Sequence, residues 1–260
     1  MKVLSYNIMS GGFKDYNDMS SVPERLEMLK EIIKKEKADF VSLVDTHRWT
    51  EVYTPDDLKN IFGYKNAFLV KLDDERLIKK GHDNGITVLT NLEVKSFEKI
   101  RLFNRNAIKT EIIFDGREAD VFSVYLDDMS EDTRLEQIKS LFSLINKNKA
   151  TVFMGDLNSL DKSDESIIPS INFDLDKVLK DMGRGEVIKF IKGNGFIDTN
   201  MDKLKTAPTK LFPIKVDKPI LRLDYIFHNQ FLEAKNFEVL NGEIFNKTSD
   251  HFPIEVELLI

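Results

Sequence analysis

Lys-Val-Leu-Ser-Tyr-Asn-Ile at residues 2–8 and Ala-Asp-Phe-Val-Ser-Leu-Val at residues 38–44 are two short apolar runs near the start of the chain. The first has the length and residue types of a short β-strand, and the second has those of a buried β-strand. Between them, Ser21-Val22-Pro23-Glu24 has capping-box spacing with proline in the first turn. This pattern predicts a helix that begins there, carries Val22 in its apolar stripe and continues to about Glu36. The order strand, helix, strand indicates an α/β protein.

Strand patterns dominate the rest of the chain. Apolar runs between polar turns predict a meander of consecutive strands at 64–70, 85–89, 94–101, 108–114 and 119–124. Further strands are predicted at 150–154, 222–227, 237–240 and 254–259, and further helices from Ser130, at Leu175–Leu179 and at Val187–Ile191. So many strands with few helices predict an α/β (α+β) four-layer sandwich. In it, two mainly antiparallel sheets pack together and are flanked by helices.

The composition is that of a globular protein with a sizeable core, with 42% hydrophobic and 32% charged residues in 260. Because no linker-like stretch divides the chain, we expect one catalytic domain over residues 1–260. No apolar run approaches the roughly 20 residues of a membrane span, and no signal peptide is visible. The absence of cysteine excludes disulfides and thiolate metal sites. These features predict a cytoplasmic protein, although they also fit a secreted protein whose leader was removed.

The net charge of −6 weighs against a broad basic face that grips long nucleic acid. The segment from Asp202 to Arg222 is locally basic, because its only acidic residues are Asp202 and Asp217. Its basic residues are Lys203, Lys205, Lys210, Lys215, Lys218 and Arg222. A solvated loop and a phosphate-facing rim are both compatible with that pattern. The sequence indicates no protein partner.

Two isolated polar residues mark strand positions where a ligand site is expected. Asn7 lies within a strand, where asparagine is disfavoured unless its amide finds a partner. Asp45 follows the buried run that ends at Val44, and ligand sites in α/β proteins gather at such strand ends. Taken alone, each also fits a structural role, as a satisfied edge residue or a turn.

Three further motifs carry carboxylates, amides and a histidine. Gly155-Asp156-Leu157-Asn158 places polar groups at i and i+2, which share one side if the segment is extended; an ordinary Asp/Asn turn is the alternative. Asp250-His251 joins a charge to a group that titrates near neutrality, and Asp224 lies in the apolar run 223–227. Such a set can hold a phosphate ester, activate water and bind a divalent cation.

In their order and surroundings these motifs resemble the endonuclease/exonuclease/phosphatase superfamily of DNase I-like, metal-dependent phosphoesterases. The resemblance extends from about Lys2 to Ile254. The matching motifs are Leu4-Ser5-Tyr6-Asn7, Gly155-Asp156-Leu157-Asn158, Leu223-Asp224-Tyr225-Ile226-Phe227 and Ser249-Asp250-His251-Phe252-Pro253. The resemblance implies a DNase I-like fold and hydrolysis of a phosphate ester or phosphodiester by activated water.

The resemblance also implies a role for each matching residue. Asn7 and Asp45 would hold the cation, with Asp250 supporting that side. Asp156 and Asn158 would bind and orient water and the scissile phosphate. His251 would contact the phosphate.

Asp224 would accept a hydrogen bond from the other ring nitrogen of His251. Either Asp156 or His251 would take the proton of water. Hard oxygen ligands and the family both indicate Mg²⁺, with Mn²⁺ as an acceptable substitute.

Two positions depart from the family pattern. Asp45 stands where a Leu-Gln-Glu sequence usually supplies glutamate, and Tyr125 stands where many members carry histidine. Tyr125 is expected to position phosphate, with a core tyrosine as the alternative. These departures motivate a second hypothesis, a catalytically weakened or inactive pseudoenzyme that acts as a binding protein. Retention of the remaining polar set favours the enzyme, whose substrate is predicted only as a nucleic acid, a phospholipid headgroup or a small phosphate ester.

Overall fold

Two six-stranded β-sheets face each other in the computed structural model, which describes residues 1–167, 180–212 and 218–260. The helix predicted at Leu175–Leu179 lies outside the described residues, as do Lys215 and Asp217. The strands are β1 (Lys2–Asn7), β2 (Phe40–Val44), β3 (Asn66–Lys71), β4 (Gly85–Thr90), β5 (Glu93–Leu102), β6 (Arg105–Phe114), β7 (Arg117–Tyr125), β8 (Ala150–Asp156), β9 (Ile197–Asp198), β10 (Asp224–His228), β11 (Glu233–Val239) and β12 (Ile254–Leu259).

The first sheet has the order β11-β12-β1-β2-β4-β3 and the second the order β5-β6-β7-β8-β10-β9. Each sheet contains one parallel pair, β1 with β2 and β7 with β8, and its other pairs are antiparallel. The prediction of two mainly antiparallel packed sheets is therefore confirmed.

Helices cover the outer faces of both sheets. They are α1 (Leu26–Glu36), α2 (Trp49–Val52), α3 (Pro55–Phe62), α4 (Glu75–Lys79), α5 (Glu131–Phe142), α6 (Glu186–Gly193) and α7 (Phe245–Thr248), with 3₁₀ turns at Ser10–Gly12 and Lys162–Ile167. An apolar cluster lies between the sheets, a second joins α1 and α3 to the first sheet, and a third joins α5 and α6 to the second sheet. The result is the predicted four-layer sandwich. The short helices α2 to α4 were not predicted, because none is long enough to show helical periodicity.

The predicted start of the first helix is wrong by about five residues. The helix begins at Leu26, and Val22 is 58% exposed rather than part of an apolar stripe. The Arg25 side chain donates hydrogen bonds to the backbone carbonyls of Met9, Gly12 and Phe13. These long-range contacts tie the preceding residues to the loop after β1, and a local capping pattern carries no information about them.

The predicted meander is also divided. Strands β3 and β4 belong to the first sheet, whereas β5, β6 and β7 belong to the second. Burial explains the division, since β4 is buried along its whole length between two neighbours and β5 is largely exposed at a sheet edge. Local strand patterns predict that strands exist, but they do not say which sheet each one joins. Within the described residues, no helix has the length and apolar character needed to cross a membrane.

Candidate active site

The polar residues singled out in the sequence gather at one end of the core between the sheets. In the first sheet, the parallel strands β1 and β2 end side by side, so that Asn7 and Asp45 lie close together. In the second sheet, Asp156 on β8 is opposite Tyr125 on β7 and Asp224 on β10. Residues opposite each other on neighbouring strands point to the same face. The fold therefore brings together side chains that lie far apart in sequence.

Gly155 allows this arrangement because β7 and β8 approach each other closely beside it. Its φ is +144°, and a Cβ atom at this position would lie 1.9 Å from the carbonyl oxygen of Val124. Only glycine accommodates both conditions. The glycine of the Gly-Asp-Leu-Asn motif thus sets the close strand pairing that presents Asp156 beside Tyr125.

Asp224 and His251 form a buried, hydrogen-bonded pair. The Nδ1 atom of His251 lies 2.8 Å from Oδ2 of Asp224, and the two residues are 7% and 1% exposed. Burial alone lowers the pKa of His251, but the charge and hydrogen bond of Asp224 outweigh it and raise the pKa to about 10. His251 is therefore an imidazolium at neutral pH, with Nδ1 donating to Asp224 and Nε2 left to serve as a second donor.

Asp156 lies beside this pair and is held by two donors. Its Oδ2 accepts a hydrogen bond from the Asn7 amide at 2.9 Å, and its Oδ1 accepts one from the Asn158 backbone at 2.9 Å. Burial and the neighbouring Asp224 charge raise the pKa of Asp156, against the lowering effect of His251. Asp156, Asp224 and His251 each offer one carboxylate oxygen or ring nitrogen, and these three atoms lie within 4.8 Å of one another. These residues can therefore act on a single bound group.

Asn158 differs from the expectation of an extended segment. Strand β8 ends at Asp156, and Asn158 has a positive φ of 47°. The Asp156 carboxylate accepts the Asn158 backbone N–H, while the Asn158 side chain donates to the carbonyl of Leu126. The motif forms the Asp/Asn turn that was the alternative reading, and the two side chains do not share the side of a strand.

Asp45 and Asp250 lie outside the group formed by Asp156, Asp224 and His251. Asp45 is 2% exposed and accepts hydrogen bonds from Asn84 Nδ2, Tyr16 Oη and the Ser10 backbone N–H. Burial raises its pKa to about 7, against the lowering effect of the Tyr16 and Ser10 hydrogen bonds. A buried carboxylate of this kind favours a nearby cation.

Asp250 is linked to Asn7 through a neighbouring serine. The Ser249 hydroxyl donates to the Asn7 carbonyl at 2.6 Å, and the backbone of Asp250 accepts a hydrogen bond from Thr209 N–H. The Asp250 side chain is partly exposed. Asn7 thus lies between the two halves of the site, since its side chain also contacts Asp156.

Tyr125 is held against the guanidinium group of Arg105, which lies 4.8 Å from the ring centre. Arg105 is 1% exposed and forms ion pairs with Asp74 and Asp128. Burial and the charge of Asp45 raise the pKa of Tyr125 well above its usual value. The Tyr125 hydroxyl therefore stays protonated and able to donate a hydrogen bond.

The sequence analysis includes neither Tyr16 nor Asn84 among the candidate site residues. Tyr16 belongs to a largely exposed loop with no motif around it, and nothing local reveals that its hydroxyl reaches Asp45. Asn84 had a usable signal, because it immediately precedes the Gly85-Ile86 entry into buried strand β4. Ser249 was quoted only as part of a motif, yet its hydroxyl bridges β1 and the His251 segment.

Comparisons with known proteins agree with this fold. The chain is similar in structure to an endonuclease/exonuclease/phosphatase family protein from Leptotrichia buccalis (19% identity, TM-score 0.70) and to an AP endonuclease from Archaeoglobus fulgidus (18%, 0.69). It is also similar to a mannosyl-6-phosphatase from Bacteroides thetaiotaomicron (16%, 0.63), and in all three cases each chain is covered over 100% of its length. A search among curated proteins gives no match. The sequence model of the Endonuclease/Exonuclease/phosphatase family matches residues 4–251, and the chain belongs to that family.

Proposed function

We propose that residues 1–260 form a single catalytic domain that hydrolyses a phosphate ester or phosphodiester with the help of a divalent cation. The observation that carries the proposal is the buried Asp224–His251 pair beside Asp156. It combines a fixed positive hydrogen-bond donor with a carboxylate of raised pKa in one small space. This is the combination that attack of water on a phosphate requires, namely a donor for the phosphate and an acceptor for the proton.

His251 is assigned to the phosphate rather than to water. With a pKa of about 10 it carries its proton at neutral pH and has no free lone pair to accept another. Asp224 holds the ring orientation and stabilises the charge through the 2.8 Å hydrogen bond. Nε2 of His251 then donates to a phosphoryl oxygen, where negative charge increases during the reaction.

Asp156 is assigned as the acceptor of the proton from water. Its carboxylate is oriented on one oxygen by the Asn7 amide and on the other by the Asn158 backbone. Its raised pKa makes it a better base than an exposed aspartate. The Asn158 side chain helps to orient Asp156 indirectly. Its hydrogen bond to the Leu126 carbonyl fixes the turn whose backbone N–H donates to Asp156.

The donor set fits a hard divalent cation. The carboxylate of Asp45 can accept at about four lone-pair positions. It accepts two hydrogen bonds on Oδ2 and one on Oδ1, so one position on Oδ1 is left for a cation. Asn7 Oδ1 accepts one backbone hydrogen bond, and the partly exposed Asp250 adds a further carboxylate. We propose that Asp45, Asn7 and Asp250 hold Mg²⁺, with Mn²⁺ as a substitute. When bound, such a cation polarises a phosphoryl oxygen and offsets charge on the leaving oxygen.

The substrate class is proposed only as a phosphate ester. Tyr125 would donate a hydrogen bond to phosphate from its protonated hydroxyl. The net charge of −6 does not favour long nucleic acid, so a phospholipid headgroup or small phosphate ester suits the chain at least as well. Two proteins of similar structure, an AP endonuclease and a mannosyl-6-phosphatase, suggest one test substrate of each kind, abasic-site DNA and mannose 6-phosphate.

The test is hydrolysis of a substrate panel with Mg²⁺, Mn²⁺ or EDTA. The panel contains p-nitrophenyl phosphate, its bis ester, abasic-site DNA, sphingomyelin, mannose 6-phosphate and inositol phosphates. Turnover is expected to require the cation and to be lost in Asp156→Asn and His251→Ala. His228→Ala is the matched control, because this buried histidine lies at the opposite end of β10 from Asp224. Cation-independent turnover would refute the role of the cation. No turnover on any substrate, together with no cation binding in calorimetry, would favour the binding-protein hypothesis.

A further inference from the structure

Asp45 is surrounded by three donors from two segments, the loop between β1 and α1 and the residues just before β4. Tyr16 Oη lies 2.6 Å from its Oδ2, the Ser10 backbone nitrogen 2.9 Å from the same oxygen, and Asn84 Nδ2 2.6 Å from Oδ1. We propose that Tyr16 and Asn84 are positioning residues that hold this aspartate for the cation. The inference deepens the proposed function and rests on it.

The length of the Asp45 side chain explains why such donors are needed. Its position in the family pattern usually carries glutamate, and aspartate is shorter by one C–C bond, about 1.5 Å. Asp45 also has a φ of 58°, a left-handed conformation that is uncommon outside glycine, asparagine and aspartate. The three donors hold both oxygens of the shorter carboxylate in place.

Tyr16 is itself held in place by aromatic contacts. Its ring stacks on His82 with 4.2 Å between centres and an angle of 16°, and it meets the edge of His47 at 5.1 Å. The loop that carries Tyr16 is thereby attached to the site through both the ring and the hydroxyl.

Asn84 is held by the strand entry that follows it. It is 3% exposed, and its carbonyl accepts a hydrogen bond from the Leu72 backbone at 2.8 Å. Among the described residues its side-chain oxygen has no partner, while its nitrogen donates to Asp45. The amide group therefore serves Asp45 rather than the packing of the strand.

Tyr16→Phe tests the role of the hydroxyl while keeping the ring stack. We expect Kd for Mg²⁺ and Mn²⁺ in calorimetry to rise about 10- to 100-fold, the usual effect of losing a residue that orients a metal ligand. At saturating cation, kcat and the substrate KM are expected to stay within a few-fold of wild type. Tyr53→Phe is the matched control, since the half-buried Tyr53 hydroxyl has no partner among the described residues, and it should leave Kd unchanged.

The Asp45→Glu substitution provides an independent test. With Tyr16 present, the extra methylene pushes the carboxylate against the tyrosine oxygen, and cation affinity is expected to fall at least tenfold. In the Asp45→Glu/Tyr16→Phe double variant this obstacle is gone, and the affinity is expected to recover relative to Asp45→Glu alone. Circular dichroism of the cation-free proteins confirms that each variant is folded before titration.

Two results would overturn the positioning role while leaving the proposed function intact. One is a folded Tyr16→Phe variant that binds the cation as tightly as the wild type. The other is a double variant whose loss of cation affinity equals the sum of the losses in the two single variants. If Tyr16→Phe raises the substrate KM at saturating cation without changing cation affinity, Tyr16 contacts substrate and the positioning role is also refuted. A wild-type protein that binds neither cation would refute the proposed function together with this inference.

Discussion

The Asp224→Asn substitution is expected to lower the pKa of His251 and to remove the pH-dependent stability that the pair provides. Asparagine preserves the shape of the side chain but removes its charge. In the wild type, the charge and hydrogen bond of Asp224 raise the His251 pKa to about 10 despite burial. Without that charge, burial is opposed only by the charges of Asp250 and Asp156, and the pKa is expected to fall well below its wild-type value.

The size of the effect follows from the two pKa values. The difference between 6.5 and about 10 corresponds to roughly 5 kcal/mol, and breaking a buried ion pair costs about 3–5 kcal/mol. Because the folded pKa is raised, this stability is fully present below about pH 6.5 and is lost as pH rises through about 10. The difference in free energy of unfolding between wild type and Asp224→Asn should therefore be about 3–5 kcal/mol at pH 6 and should shrink toward pH 10.5.

Two measurements on the cation-free proteins check this expectation. Urea denaturation at intervals from pH 6 to pH 10.5 gives the free-energy difference, and NMR titration of the imidazole protons gives the pKa values directly. The chain has only four histidines, which makes assignment by single His→Gln variants practical. The reasoning is refuted if His251 titrates near 6.5 in the wild type, or if the stability difference does not change with pH.

Three further perturbations follow from the same structure. Gly155→Ala is expected to lower the free energy of unfolding in urea by about 3 kcal/mol. The new methyl group would meet the Val124 carbonyl, and alanine would be strained at this φ. Unchanged stability would contradict the close approach of β7 and β8. Burial would raise the pKa of Asp161, but Lys192 and Ser163 outweigh it and hold the pKa well below the usual range. The stability that Asp161 contributes is therefore present above about pH 4 and is lost on further acidification. Asp161→Asn should flatten the acid limb of the stability profile below pH 4, and an identical limb in the variant would refute this. Mg²⁺ at 100 times its Kd should stabilise the wild type by about 2.7 kcal/mol in thermal denaturation. Asp45→Asn should abolish this stabilisation by Mg²⁺. An equal stabilisation in that variant would show that Asp45 is not part of the cation site.

Much of the architecture could be predicted because its determinants are local. A buried strand such as β2 is apolar from Phe40 to Val44, and the Ser130 cap of α5 accepts its hydrogen bond from Thr133 three residues later. Some of the candidate site residues were visible for a related reason. Asp45 and Asp224 each adjoin an apolar strand, where a charged residue contrasts with its neighbours.

The remainder depends on contacts between distant segments. The start of α1 is determined by the bonds from Arg25 to the loop after β1, and the division of the predicted meander is determined by which sheet can bury β4. Tyr16 reaches Asp45 across 29 positions of sequence, so a local pattern cannot indicate the contact. Sequence reasoning therefore named Asn7 and the charged groups of the candidate site, but not Tyr16 and Asn84, the neutral side chains that donate to Asp45.

The balance of charge within the site supports a cation more strongly than any single ligand does. Asp45, Asp156 and Asp224 are each at most 2% exposed, and burial of an isolated carboxylate costs several kcal/mol. Within the described part of the chain, His251 forms an ion pair with Asp224, whereas Asp45 and Asp156 have none. Arg25 and Arg105 lie nearby, but their guanidinium groups are engaged with backbone carbonyls and with Asp74 and Asp128. The negative charge left at Asp45 and Asp156 explains why burial raises both pKa values, and a bound divalent cation would reverse that effect.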